Sequence, residues 1–156
     1  VIIGPGSLYT SLIPVLLVKE LREAIQRSGA RVILVMNLTT EPGETDGFTA
    51  ADHVVAIRRH APELPIHDVL LNGQAVPDDL VRAYAESHAA LVLPNVELLR
   101  ALGHRPVVRD LLGAGPKIRH DPGKLATAIL DLLRDASASP TARASATPAS
   151  PVVSVQ

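Results

Sequence analysis

Close to its start the sequence reads Gly4-Pro5-Gly6-Ser7-Leu8-Tyr9-Thr10-Ser11, directly after the apolar Val1-Ile2-Ile3. Two glycines let a backbone approach an anion closely, and Ser7, Thr10 and Ser11 bring hydroxyl donors. A helix after this loop would add free N–H groups and a positive dipole end. Phosphate binding is the chemistry such a loop supports. A tight strand-to-helix turn closed by a serine fits the same residues, because the pattern is neither G-x-G-x-x-G nor the lysine-bearing P-loop.

A second polar cluster runs from Asn37 to Gly47, where Glu41, Glu44 and Asp46 stand beside Thr39, Thr40 and Thr45. Grouped carboxylates suit a divalent ion, a ribose or a base edge. A solvated acidic loop turning at Pro42-Gly43 is the competing reading. The six histidines, His53, His60, His67, His88, His104 and His120, show no metal-binding spacing. His53 and His60 would share a helix face, but two turns is too far for one metal, and most of the six read as surface residues. Arg119 precedes His120-Asp121 at the start of a helix, where it reaches an anion or simply faces water. No Ser-His-Asp order follows from spacing. No residue is assigned a catalytic role, and no metal ligand is identified.

These residues need elements to hold them. Val1-Ile2-Ile3 reads as the last part of a buried strand too short to be whole, so the chain reads as cut in mid-element, as a fragment would be. Ile13 to Arg27 predicts a helix with Ser11 as N-cap, Pro14 in its first turn, and Leu17, Leu21, Ala24 and Ile25 on the buried face. Val32 to Met36 reads as a parallel strand covered on both faces. Thr49-Ala50-Ala51-Asp52 resembles a capping box that opens a helix to about His60. A strand is expected to end at Asn72, a short helix to begin at Pro77, and a further strand to run through Ala89 to Pro94. Leu98 to Val108 shows no clear pattern. Asp121 then caps a helix with Pro122 at its first position and Leu125, Ile129, Leu132 and Leu133 as its buried stripe.

Strand and helix alternate throughout, which predicts right-handed βαβ units and an α/β, Rossmann-like, mostly parallel sheet flanked by helices. Residues 1–135 read as one domain. The Ala/Ser/Thr/Pro-rich stretch 136–156 reads as a disordered tail. With 47% hydrophobic and 20% charged residues the 156-residue chain has a globular composition. Aromatics at 2% and a net charge of −1 argue against a nucleic-acid platform. The absence of Cys excludes disulfides and thiolate chemistry from this chain. No apolar run approaches a membrane span and no signal peptide is visible, so a soluble cytoplasmic protein is the expectation.

Three stretches, "IIGPGSLYTSLIPVLL", "VMNLTTEPGETDGFTAADHV" and "IRHDPGKLATAILDLL", resemble the YvcK-like family of bacterial gluconeogenesis factors, within the superfamily of 2-phospho-L-lactate (CofD-like) transferases. The resemblance runs from Val1 to about Leu133. It implies a Rossmann-like domain whose N-terminal half is missing from this sequence. It also implies binding of a nucleotide sugar of the UDP-N-acetylglucosamine type, and a regulatory protein linked to gluconeogenic growth, cell shape and cell-wall synthesis. Motif by motif, Gly4, Gly6, Ser7, Leu8 and Thr10 match the family's first phosphate-side loop. Asn37, Thr40, Gly43, Glu44 and Thr45 match its second loop, while Tyr84 and Arg119 match positions associated with the nucleotide-sugar site. Val15 and Thr39 depart from the usual Asn and Met. The alternative is a transferase that moves a phosphoester group from a nucleotide-activated donor with the help of a divalent metal. The expected partner is a small-molecule nucleotide sugar rather than nucleic acid or membrane; a homo-oligomer stays open.

Overall fold

Val32-Ile33-Leu34-Val35-Met36 has no polar side to turn to water, so a strand made from it must be covered twice. The computed structural model, which describes residues 1–138, shows that arrangement. Strands β1 (Ile2–Ile3), β2 (Ile33–Val35), β3 (Asp68–Asn72) and β4 (Arg105–Arg109) form one sheet in the order β1-β2-β3-β4. Every pair is parallel, with Ile2 beside Ile33, Ile33 beside Asp68, and Asp68 beside Arg105. The expected parallel α/β architecture is therefore present.

Helices α1 (Ile13–Leu16), α2 (Lys19–Ser28), α3 (Ala50–His60), α4 (Asp78–Glu86), α5 (Val96–Ala101) and α6 (Pro122–Ala138) alternate with the strands. One core gathers Ile3, Leu34, Val69 and Leu71 from the sheet with Leu16, Ile25, Val54, Ile57 and Leu99 from the helices. The other face of the sheet packs Ile33, Val35, Leu70 and Val107 against Ala128 and Leu132 of α6. Alternate residues of β2 thus serve two cores. Each such aliphatic side chain contributes about 1.5–3 kcal/mol through burial.

Several local signals act as expected. Thr49 accepts a hydrogen bond from the Asp52 N–H at 3.3 Å, and the Asp52 carboxylate accepts one from the Thr49 N–H at 2.8 Å. Asp121 accepts from the Lys124 N–H at 2.9 Å at the head of α6.

Other expectations need correction. The helix expected over Ile13 to Arg27 is broken. A π-turn spans Leu8–Leu12, α1 follows, and Val18 is extended before α2. Ser11 therefore lies inside the π-turn and caps nothing. The break is held from outside: Arg22 donates to the Leu16 carbonyl at 2.8 Å and ion-pairs with Glu63. Leu17 and Leu21 turn to the surface as a result. Ala89 to Pro94 is no strand, since Leu91 makes only an isolated antiparallel bridge with Thr39, and β4 holds the place beside β3. Leu133 is exposed, and Ala128 takes its place in the buried stripe of α6. That helix runs on to Ala138, past the expected domain boundary at Asp135, and the rest of the expected disordered tail lies outside the described residues.

Candidate functional site

Loops that follow parallel strands collect at the carboxyl edge of the sheet, where such folds bind ligands. The loop after β1 and the loop after β2 meet there. Asn37 accepts a hydrogen bond from the Gly6 N–H at 3.0 Å and returns one from its own Nδ2 to the Gly6 carbonyl at 2.9 Å. Across from this junction stands the segment Ile118 to His120. Pro5, Gly6, Asn37, Thr39, Glu41 and Arg119 line one cleft of about 250 Å³. An adjoining, mainly apolar cavity of about 280 Å³ shares the Asn37 wall and extends to Gly73 and Leu93.

The glycines of the first loop carry no positive φ. A Cβ on Gly4 would meet nothing within 4 Å, and one on Gly6 would meet only ordinary contacts with Ser11 and Leu12. What a side chain there would fill is open space beside the loop, which is the access a close-approaching ligand uses. Gly43 does require glycine's freedom, with φ at +80°, and its N–H donates to Asp46 at 2.9 Å.

The anion expected at the head of the first-loop helix is present, and it belongs to the protein. Ser7 donates to Glu44 Oε2 at 2.6 Å, and Ser7 also shares a hydrogen bond with Thr10. Hydrogen bonds from Ser7, the Tyr9 N–H and Thr10 hold the Glu44 carboxyl below the usual carboxylate range. Glu44 therefore takes up the Tyr9 N–H that the sequence offered to a phosphate, together with the Ser7 hydroxyl. What remains is an ionised acceptor among hydroxyls, suited to sugar or ribose hydroxyl groups, while positive charge enters the cleft from Arg119.

Gly4, Ser7, Thr10, Gly43 and Glu44 stand beside the cleft without lining it, and the remaining expected residues build its geometry from farther back. Leu8 has no exposed surface and anchors the π-turn in the core. Thr40, 3% exposed, exchanges bonds with Ala90: its N–H donates to the carbonyl at 2.7 Å and its Oγ1 accepts from the N–H at 2.9 Å. Thr45 closes the acidic turn by accepting from the Glu41 N–H at 2.8 Å. Tyr84 accepts from the Ile118 N–H at 3.1 Å and so positions the segment that carries Arg119.

Sequence reasoning missed His120. Its ring hydrogen-bonds the Met36 backbone, burial pushes its pKa down, and its Nε2 is buried without a partner. The Arg119-His120-Asp121 run was the available signal, and only the fold brings it against β2. His53 is likewise not one of the surface histidines. It is 3% exposed, with Nδ1 hydrogen-bonded to the Thr49 carbonyl at 2.8 Å and its ring edge-on to Phe48. Among the described residues no group of three or more His, Cys, Asp or Glu could hold a metal ion. No described helix is long and apolar enough to cross a membrane.

A parallel α/β sheet with polar loops converging at its carboxyl edge defines a Rossmann-like ligand-binding class. Within that class, residues 1–112 match the family described as 2-phospho-L-lactate transferase CofD, and the chain belongs to that family. It is 40% identical over 137 residues to the gluconeogenesis factor of Bacillus subtilis, covering 86% of this chain and 43% of that protein. A gluconeogenesis factor of Halalkalibacterium halodurans is 39% identical over 132 residues, 84% of this chain and 41% of the relative. A crystal structure of a UPF0052-family protein from Bacillus halodurans superposes with a TM-score of 0.79 at 40% identity. That superposition covers 83% of this chain and 42% of the other. The resemblance carried by the three motifs is borne out, and the chain spans about two fifths of the length of these relatives.

Proposed function

We propose that this chain contributes the phosphate and sugar side of a nucleotide-sugar site in a regulatory protein linked to gluconeogenic growth, cell shape and cell-wall synthesis. The observation that carries the reading is the convergence of Gly6, Asn37 and Arg119 on one cleft, with the ionised Glu44 held by the first-loop hydroxyls. Such a site joins a cation for a pyrophosphate to acceptors for sugar hydroxyls, and the adjoining apolar cavity gives a flat base somewhere to lie. The names of the relatives support the link to gluconeogenesis. The ligand is a nucleotide sugar of the UDP-N-acetylglucosamine type, and the protein is cytoplasmic. The family description favours a second reading, a phosphoester transferase.

Calorimetric titration of the intact protein with UDP-N-acetylglucosamine tests the proposal. Arg119→Ala removes a charge-assisted contact worth about 1.5–3 kcal/mol, which is about ten- to a hundredfold in affinity. Equal affinities would remove Arg119 from the site. No binding by the unmutated protein would end the nucleotide-sugar reading.

A further inference from the structure

The opposite, amino-terminal end of the sheet carries a groove of its own, about 600 Å³, walled by Arg31, His67, Arg100, His104 and Arg105. These residues precede or open strands β2, β3 and β4, whereas Gly6 and Asn37 follow β1 and β2. In a parallel sheet the two sets lie at opposite ends.

The charges of this groove are organised by one carboxylate. Asp68 is 0% exposed and accepts from both Nε and Nη2 of Arg31, the latter at 2.8 Å, and from Arg105 Nε at 2.6 Å. Asp68 thus neutralises one guanidinium while orienting two, and each keeps donors that Asp68 does not use. Among the described residues Arg100 pairs only with Glu97 across a well-exposed surface, a bond that a competing anion can replace at little cost. Three arginines against two carboxylates leave positive charge.

The two histidines complete the arrangement. His67 Nδ1 accepts from the Val32 N–H at 3.0 Å, so its hydrogen sits on Nε2 and its exposed ring is a donor even when neutral. His104 hydrogen-bonds the Ile66 carbonyl through Nδ1 at 2.8 Å, so Nδ1 carries the hydrogen. Its Nε2 is then an acceptor when the ring is neutral, and it is buried without a partner among the described residues. A phosphate group answers the accessible donors of this groove, its anionic oxygens accepting from the guanidinium forks and from His67, while His104 forms part of the wall.

We propose that this groove binds a phosphate group, free or as the ester of a small metabolite, at a site separate from the Arg119 cleft. The test is calorimetric titration of the intact protein with inorganic phosphate, and separately with glycerol phosphate, at fixed pH and ionic strength. Arg100→Gln changes an exposed side chain and leaves the Asp68 cluster whole. It should weaken phosphate binding about tenfold, the loss expected for one charge-assisted hydrogen bond. Arg119→Ala should leave that affinity unchanged, which separates this proposal from the nucleotide-sugar site. Tighter binding of glycerol phosphate would identify esters as the natural ligands, and equal affinity would identify free phosphate. The proposal is overturned if neither anion binds saturably, if Arg100→Gln binds as the unmutated protein does, or if binding is lost in Arg119→Ala.

Discussion

Asn37 and Gly6 hold each other by two opposed hydrogen bonds, with the side-chain oxygen taking the Gly6 N–H at 3.0 Å and the side-chain nitrogen giving to the Gly6 carbonyl at 2.9 Å. No other side chain of similar size both donates and accepts in this way; aspartate can only accept when ionised. Asn37→Asp would keep the bond from the Gly6 N–H and set a negative charge against its carbonyl. The expected loss is about 1–3 kcal/mol, the cost of an unmade bond at a partly buried site. Urea unfolding would show it as a lower midpoint with an unchanged slope. An unchanged midpoint would mean that the two loops are joined by something else.

His53 makes stability depend on pH just below neutrality. Burial pushes its pKa below the ordinary histidine value, against the Thr49 carbonyl and the Asp52 charge, which favour the protonated form. The unfolded chain takes up this proton near pH 6.5 and the folded chain only at lower pH. Stability therefore falls as pH drops below about 6.5 and stops falling below the folded value. His120 shifts in the same direction through its own burial. Urea midpoints between pH 7 and 5 should fall less steeply in His53→Leu than in the unmutated protein. Identical slopes would assign the effect elsewhere.

What could be read in the sequence was local. The Thr49–Asp52 box, the Asp121-Pro122 helix start and the apolar run at β2 each depend on neighbours within a few residues, and each forms as expected. What could not be read depends on distant partners. The break between α1 and α2 is fixed by Arg22 reaching Glu63, and the first loop's helix end is filled by Glu44, which stands 37 residues from Ser7. β4 escaped because Arg105 and Arg109 frame a short apolar stretch that contains Pro106, and only pairing with β3 makes it a strand. The candidate site was legible as two loops. That Tyr84 and Thr40 support the cleft from behind was not, because residue type does not say which way a hydroxyl is turned.

Asp68 should govern acid stability. Burial alone would raise its pKa, but hydrogen bonds from Arg31 and Arg105 outweigh it and hold the carboxyl below the usual range. Its contribution is complete above about pH 4, the unfolded value, and is lost as pH falls through the lower folded value. Asp68→Asn leaves two guanidinium groups without their counter-charge. The expected cost is about 3 kcal/mol at neutral pH, at the low end for a broken buried pair because both arginines reach solvent. In the variant, the fall in urea midpoint below pH 4 should be shallower than in the unmutated protein. A midpoint at pH 7 equal to that of the unmutated protein would show that the arginines find other partners.

The surface beside β1 should drive self-association of the isolated 156-residue chain. Ile2, Val15, Leu17 and Val18 are each at least half exposed, and Ile2, Val15 and Leu21 line a mainly apolar groove of about 270 Å³ between β1 and the first helices. Among the described residues β1 pairs only with β2, so its other edge keeps unpaired backbone groups beside this surface. Val18 offers a clean probe. It occupies the N-cap position of α2 in an extended conformation, with no side-chain cap. Val18→Asp would place a charge on the patch and supply the missing acceptor for the helix N–H groups, favoured further by the helix dipole. The variant should gain about 0.5–2 kcal/mol in stability while losing association. Sedimentation velocity across a concentration series and thermal unfolding read the two effects separately. A monomer at every concentration before substitution would show that the patch is not adhesive, and a lower melting temperature in Val18→Asp would show that the valine packs in a way its exposure does not reveal.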